Sequence, residues 1–390
     1  MKVLIIGGMG VIGGAITKAA AQKKIDVYVL SRRDLFGEWL NLGVTGIKGD
    51  WKNDEFARKV VKEDFDVIID TQVFDEKQLI RSLEIADGHC KQYIYISTDS
   101  IYAHPAENLI EDDPIDLREV HWDYGIDKLK AELYLVNHGD KYKFFWTGIR
   151  PTITFGNTRI PVGYATKRNT YTLAERILEG KPIIRFDDPK TRHAVCHTSI
   201  FGAAAVSLLL NEKAAGQFFH ISDDYAYSYD EIFDAIEKVL GAKGIYVHVP
   251  TESIKLYSRS LYEEMIYDKN PEFTLNNNKI KSMAPSVNYH MDIIEVMSST
   301  LSYLDNHKKD SEGDDEYNLI TDNILLTYVN NIDDAGLKNK VNKYIEGFSK
   351  DYLEQLRGFR KKRKVDTLLY PLKKCKCKIK SALDNILNTI

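Results

Sequence analysis

The stretch DYGIDK (123–128) sets Tyr124 and Lys128 four residues apart. On a helix that spacing brings both side chains to one face, a turn apart. A phenol titrating near pH 10 is a poor base at neutral pH, and a neighbouring ammonium favours its phenolate. The pair therefore fits either proton transfer or an ordinary contact between turns. Only the rest of the chain separates the two.

Further upstream, GGMGVIGG follows the first apolar run, with Gly7, Gly10 and Gly13 spaced as G-x-x-G-x-x-G. Glycines allow a tight turn and let a pyrophosphate approach the backbone, while a helix N-terminus offers N–H donors and positive potential. A glycine-rich turn without a ligand is the plain alternative, but its place at the first strand–helix junction favours a dinucleotide held by Gly7, Gly10, Val11, Ile12 and Gly13. The second apolar run ends VYVLSRRD. Ser31, Arg32 and Arg33 stand where NAD-selective proteins carry a carboxylate, and paired guanidiniums suit a 2′-phosphate, so NADP is expected. If both arginines are merely solvated, Asp34 can serve NAD instead. Asp50 as acceptor and Trp51 as an apolar wall fit an adenine, although Trp51 fits a core position equally well. Thr71 completes the expected cofactor contacts.

The elements that must position these residues are legible as alternation. KVLIIG (2–7), DVYVL (26–30), VTGIKGD (44–50), FDVIID (65–70), YIYIS (93–97) and FFWTGIR (144–150) read as buried strands separated by segments of helical length. That alternation predicts an α/β fold, a Rossmann-type doubly wound parallel sheet with helices on both faces. Residues 1–156 form this domain, and 196–222 return to it as a helix and a strand. A smaller substrate-binding lobe combines 157–195 with 223–305. In it, YTLAERILEG reads as a helix, KPIIRF as a strand, and SYDEIFDAIEKVLG as a helix opened by a Ser228/Glu231 capping box. Residues 306–317 read as a charged linker and 318–390 as a helical, basic C-terminal extension, so a chain ending near His307 is expected to keep its activity.

With 390 residues, 44% of them hydrophobic, the chain can bury a large core. Its net charge of −4 gives no reason to expect nucleic acid. Cys90, Cys196, Cys375 and Cys377 do not read as a disulfide framework, which suits a reducing, cytoplasmic setting. The apolar N-terminus could pass for a signal peptide, but its phased glycines and Lys18 argue against one. No apolar run reaches membrane-spanning length. His193, Cys196 and His197 lack a fourth ligand at suitable spacing, and Cys375 and Cys377 lack neighbouring ligands, so no metal is expected. Lys and Arg crowd 357–380 with apolar residues between them. An amphipathic basic helix there would meet an anionic membrane, a partner protein or RNA, or else lie solvated on the body.

The glycine loop, Thr98 in STDSIYA directly after the fifth strand, and Tyr124-x-x-x-Lys128 fall in register with the predicted strands. In this order they resemble the extended short-chain dehydrogenase/reductase family of nucleotide-sugar epimerases, dehydratases and reductases, over residues 1 to about 300. The resemblance makes the opening pair catalytic. It implies Tyr124 as acid/base, Lys128 as the group that lowers its pKa and holds the nicotinamide ribose, and Thr98 as hydrogen-bond partner of the reacting oxygen. Asp99, Ser100 and Arg192 are implied on the substrate, Arg192 at a pyrophosphate. Family dehydratases carry Thr-Asp-Glu where this chain has Thr98-Asp99-Ser100, which argues against dehydration. In RPTITFG (150–156), Ile153 and Phe155 replace the family's asparagine and tyrosine, which weakens the case for a nucleotide diphosphate. A homodimer that reduces a keto-sugar carried on a nucleotide is the leading expectation. An NAD-dependent epimerase comes second, and a non-catalytic nucleotide- or RNA-binding protein reusing the fold is the rival of another class.

Overall fold

A computed structural model of the chain describes residues 1–164, 171–186, 190–307, 315–364 and 369–370. Seven parallel strands form the main sheet: β1 (Lys2–Ile6), β2 (Asp26–Ser31), β3 (Thr45–Lys48), β4 (Val67–Asp70), β5 (Gln92–Ile96), β6 (Phe145–Pro151) and β7 (Gln217–Ile221). Their order is β7-β6-β5-β4-β1-β2-β3. The strands alternate sides as a pleat requires. Val3 and Ile5 enter one core with Val27, Val29, Ile69 and Ile94. Leu4 and Ile6 enter the other with Ile68, Tyr93 and Tyr95. Both faces are buried, so the strands read as continuous apolar runs.

Helices α1 (Val11–Gln22), α2 (Asp54–Val61), α3 (Glu76–Ala86), α4 (Asp123–His138) and α5 (Thr198–Val206) cover the sheet. Small residues let α1 and α5 approach closely: a Cβ at Gly202 would lie 2.2 Å from the Ala15 carbonyl oxygen. The order of strand addition reverses between β1 and β4, since β2 and β3 build outward on one side and β4 to β7 on the other. That reversal opens a crevice at the carboxyl ends of the strands, directly at the glycine loop.

The chain divides into two units, Met1–Pro161 with Pro189–Ala235 and Pro271–Tyr303, and Val162–Asp188 with Ile236–Asn270 and Leu304–Ile390. This redraws the expected lobes. Residues 190–195, 223–235 and 271–303 belong to the unit that holds the main sheet, where Arg192–His193 pairs with Tyr227–Ser228 and with Phe273 in a second, smaller sheet. The capping box forms: the Ser228 N–H donates to Glu231 (2.8 Å) and the Glu231 N–H to Ser228 Oγ (3.2 Å).

In the second unit, Pro182–Arg185 pairs in parallel with Ile245–His248. The C-terminal extension is part of this unit's core rather than a tail beyond a linker. Asp315–Tyr328 is one helix, and its Tyr317 is buried. Arg176 and Asp322 form an ion pair at 2.8 Å, each side chain 2% exposed. Asn318 and the Pro182 carbonyl take further Arg176 N–H groups, while the Tyr344 and Tyr352 hydroxyls donate to Asp322. A buried guanidinium requires such partners, and here its carboxylate and the Asn318 amide come from beyond residue 315. A chain ending near His307 would therefore strand Arg176, contrary to the sequence expectation. Most of the linker (308–314) and residues 371–390 lie outside the described residues, Cys375 and Cys377 among them.

Candidate active site

The glycine loop carries out what its spacing requires. Gly7 adopts φ +77°, and a Cβ at Gly13 would lie 2.4 Å from the Gly7 carbonyl oxygen. The α1 N-terminus begins at Gly10 with no side-chain cap, so its first-turn donors and positive end are left for an anion. Val11 and Ile12 open the helix, and Thr17 fastens the loop from below by donating to the Gly8 and Gly13 carbonyls, each at 2.9 Å. Thr71 hangs from the Ile6 carbonyl at 2.7 Å, within reach of where a Gly7 side chain would be.

Beyond β2, Ser31 Oγ accepts the Arg33 N–H at 3.1 Å. Arg32 and Arg33 are exposed, with no ion-pair partner among the described residues. Asp34, the carboxylate available for NAD, is held by Lys48 at 2.6 Å. Asp50 is exposed, its Oδ1 accepting the Lys52 N–H. Trp51, which fits an adenine wall and a core position equally well in the sequence, sits in the core of the sheet's second face. It is 6% exposed, and its indole N–H donates to Asp70 at 3.1 Å. Asp70, a buried carboxylate at the end of β4, also accepts from Ser82 and from the Gln72 N–H. It thereby ties the loop after β3 to the loop after β4. Burial raises its pKa above the ordinary carboxylate value despite these bonds.

Thr98, Asp99 and Ser100 form a buried turn directly after β5. Thr98 Oγ1 accepts the Ser100 N–H at 3.2 Å and lies 3.1 Å from Ser100 Oγ. Helix α4 presses on this turn at Gly125, where a Cβ would lie only 2.1 Å from the Ser100 carbonyl oxygen. The glycine between Tyr124 and Lys128 is thus what lets the pair's helix reach the Thr98 turn. Tyr124 is half-buried, its ring 4.9 Å from that of Trp122. Lys128 is 2% exposed, and its Nζ sits 5.9 Å from the Tyr124 ring centre. The ammonium donates to the Val73 carbonyl and, at 2.7 Å, to that of Ile96, beneath the rings of Phe74 and Tyr95. Burial pushes its pKa down to about 8, against the pull of Asp70, Glu132 and Asp75.

One turn beyond Lys128, the buried Glu132 receives Arg150 through Nε and Nη2 of one guanidinium edge, at 3.1 and 2.7 Å. Arg150 also donates to the Tyr102 hydroxyl (2.6 Å), just past the Thr98 turn, and to the Glu111 carbonyl (3.0 Å). Tyr102 in turn meets His220 Nε2 at 2.7 Å. This hub, which the sequence reading missed, binds α4, the turn after β5, β6 and β7 together. Its one sequence signal was Glu132, four and eight residues beyond Lys128 and Tyr124 on the same helical face.

Arg192 is half-buried over the Tyr225 ring, 4.6 Å from its centre, and donates to the Ala226 carbonyl at 2.6 Å. It stands at the end of its short strand, apart from the hydrogen-bonded cluster around Lys128. His193 stacks on Tyr229 and His197 meets the edge of Phe155, while Cys196 is buried.

The NmrA-like family matches residues 1–294 of this chain, three quarters of its length and every one of these positions. The chain belongs to the NmrA-like family. Among curated relatives, a chloroplast stem-loop binding protein of 41 kDa from Arabidopsis thaliana is 26% identical over 62% of this chain and 63% of its own length. The 2′-dehydrokanamycin reductase of Streptomyces kanamyceticus is 24% identical over 65% of this chain and 70% of its own. The chain thus spans less than two thirds of the first relative. Among solved structures, the UDP-glucuronic acid 4-epimerase of Bacillus cereus, in complex with UDP-glucuronic acid and NAD, superposes with a TM-score of 0.63 at 18% identity, covering 78% of this chain and 99% of that one. The fold of this NmrA-like protein is therefore that of the NAD-dependent nucleotide-sugar epimerases, in keeping with the extended short-chain dehydrogenase/reductase resemblance. No helix among the described residues is long and apolar enough to cross a membrane.

Proposed function

We propose that this NmrA-like protein is an NADPH-dependent reductase of a keto-sugar carried on a nucleotide, with Tyr124 as acid. The observation that carries the reading is the seating of the Tyr124–Lys128 helix, through Gly125, against the Thr98–Ser100 turn at the strand ends, beside an uncapped glycine loop. Gly7, Gly10, Val11, Ile12 and Gly13 would hold the pyrophosphate, and Ser31, Arg32 and Arg33 the 2′-phosphate. The nicotinamide, when bound, supplies the hydride. The residues of this chain handle the proton. Thr98 orients the carbonyl oxygen, Tyr124 gives it a proton, and the Lys128 ammonium stabilises the phenolate left behind. Asp99, Ser100 and Arg192 face the remainder of the substrate in this reading, and the functional particle is a homodimer.

Arg32 and Arg33, without ion-pair partners among the described residues, and Asp34, taken by Lys48, favour NADPH over NADH. An NAD-retaining epimerase is the second reading, supported by the fold shared with the Bacillus cereus enzyme. Mass spectrometry of small molecules released from the purified protein, with turnover measured on NADPH and NADH, separates the two. The reductase leaves with little bound cofactor and consumes NADPH. Tightly retained NAD without net consumption of reductant makes it an epimerase. Absence of any nicotinamide binding would return it to the non-catalytic class, to which the name of the stem-loop binding relative also points.

A further inference from the structure

Residues 350–364 form a helix in the second unit with two unlike faces. Tyr352, Leu356, Phe359 and Arg363 recur at helical spacing on the inner side. Leu356 is 1% exposed, Tyr352 donates to Asp322 at 2.7 Å, and Arg363 pairs with Glu316 beside the Phe359 ring. Arg357, Lys361 and Lys364 recur at the same spacing on the opposite side, all exposed, with Lys362 next to them. None of the four has an ion-pair partner among the described residues, and the single acid on that face is Glu354. The sequence continues the charge: 357–380 carries eleven Lys and Arg against one Asp, on a chain whose net charge is −4. Such segregation of charge onto one helix face is a surface for an extended anion.

The structure favours a bilayer over a nucleic acid. Single-stranded nucleic acid is gripped by stacking bases on exposed rings. Here the rings are spent on the body: Phe359 is half-buried, and the Tyr370 hydroxyl donates to Glu263 at 3.0 Å. Among the described residues that follow the basic stripe, the exposed large apolar side chain is aliphatic, Leu369 at 41%. We infer that the Arg357–Lys361–Lys364 face docks the protein on anionic phospholipid. This inference is independent of the catalytic reading.

Co-sedimentation of the full chain with vesicles of phosphatidylcholine and phosphatidylserine, two to one, tests it against pure phosphatidylcholine. Binding to the anionic vesicles alone, weakened at high salt, is the expected result. R357E/K361E/K364E should bind about a hundredfold more weakly with an unchanged circular dichroism spectrum and melting temperature. Should that triple variant unfold, the milder K361Q/K364Q should still lose about tenfold. Wild-type protein that stays in the supernatant at low salt overturns the inference. So does undiminished binding by the variants. A stem-loop RNA that strips the protein from vesicles at equal phosphate concentration would reassign the face to nucleic acid.

Discussion

Replacing Gly125 by alanine tests whether close approach of α4 positions the reacting groups. The added Cβ would lie 2.1 Å from the Ser100 carbonyl oxygen and 3.0 Å from its carbon, whereas ordinary contacts begin at 3.4 Å. Relief therefore requires the helix and the turn to part by roughly 1 Å or more, a misplacement that typically costs about a hundredfold in rate. The helix is not free to move as a block. Lys128 is tethered to the Val73 and Ile96 carbonyls and Glu132 to Arg150, so the displacement concentrates at Tyr124 and Thr98. Overpacking costs about 1–3 kcal/mol, partly offset by about 1 kcal/mol from the better helix propensity of alanine. The melting temperature should thus fall modestly while kcat with NADPH falls about a hundredfold. Lys130→Ala, on the exposed side of the same helix, should leave both unchanged. A Gly125→Ala enzyme with full kcat would refute the claim that this contact sets the geometry.

Tyr124→Phe keeps the ring beside Trp122 but removes the acid, so kcat should drop by at least about two orders of magnitude with NADPH affinity nearly intact. Full turnover by the purified variant would end the assignment. Arg32→Ala with Arg33→Ala should weaken NADPH by about 1.5–3 kcal/mol per lost charge-assisted bond and leave NADH almost untouched; equal losses in titration would show that the arginines do not read the phosphate. Lys128 titrates at about 8 in the folded state and at 10.5 when free, so the unfolded chain binds more protons between these values. Its contribution to stability therefore rises with pH across that window, and Lys128→Met should flatten the rise in urea titrations at successive pH values. Asp322→Ala leaves Arg176 buried without its carboxylate and should cost about 3–5 kcal/mol in chemical denaturation; a negligible loss would mean that the extension does not support the second unit.

The sheet, the glycine turn and the Tyr124–Lys128 pairing on one helix were legible in the sequence because each is written locally. Strand runs such as KVLIIG announce burial on both faces through apolar continuity, and β1 to β6 lie where those runs fall. The turn at Gly7 and the four-residue interval of Tyr124 and Lys128 are likewise short-range patterns fixed by backbone geometry. Burial of single residues was not written there. Trp51 reads alike as an adenine wall or as core, and only the partner at Asp70, 19 residues on, decides for the core. Gly125 looks like a weak point in a helix until the Ser100 carbonyl is brought against it. The extension reads as a basic tail because its charges dominate the composition, yet Asp322 answers an arginine 146 residues earlier. Local propensity and spacing fix which elements form. Pairing of buried charges and close backbone contacts depend on groups distant in the chain, so only the folded arrangement determines them.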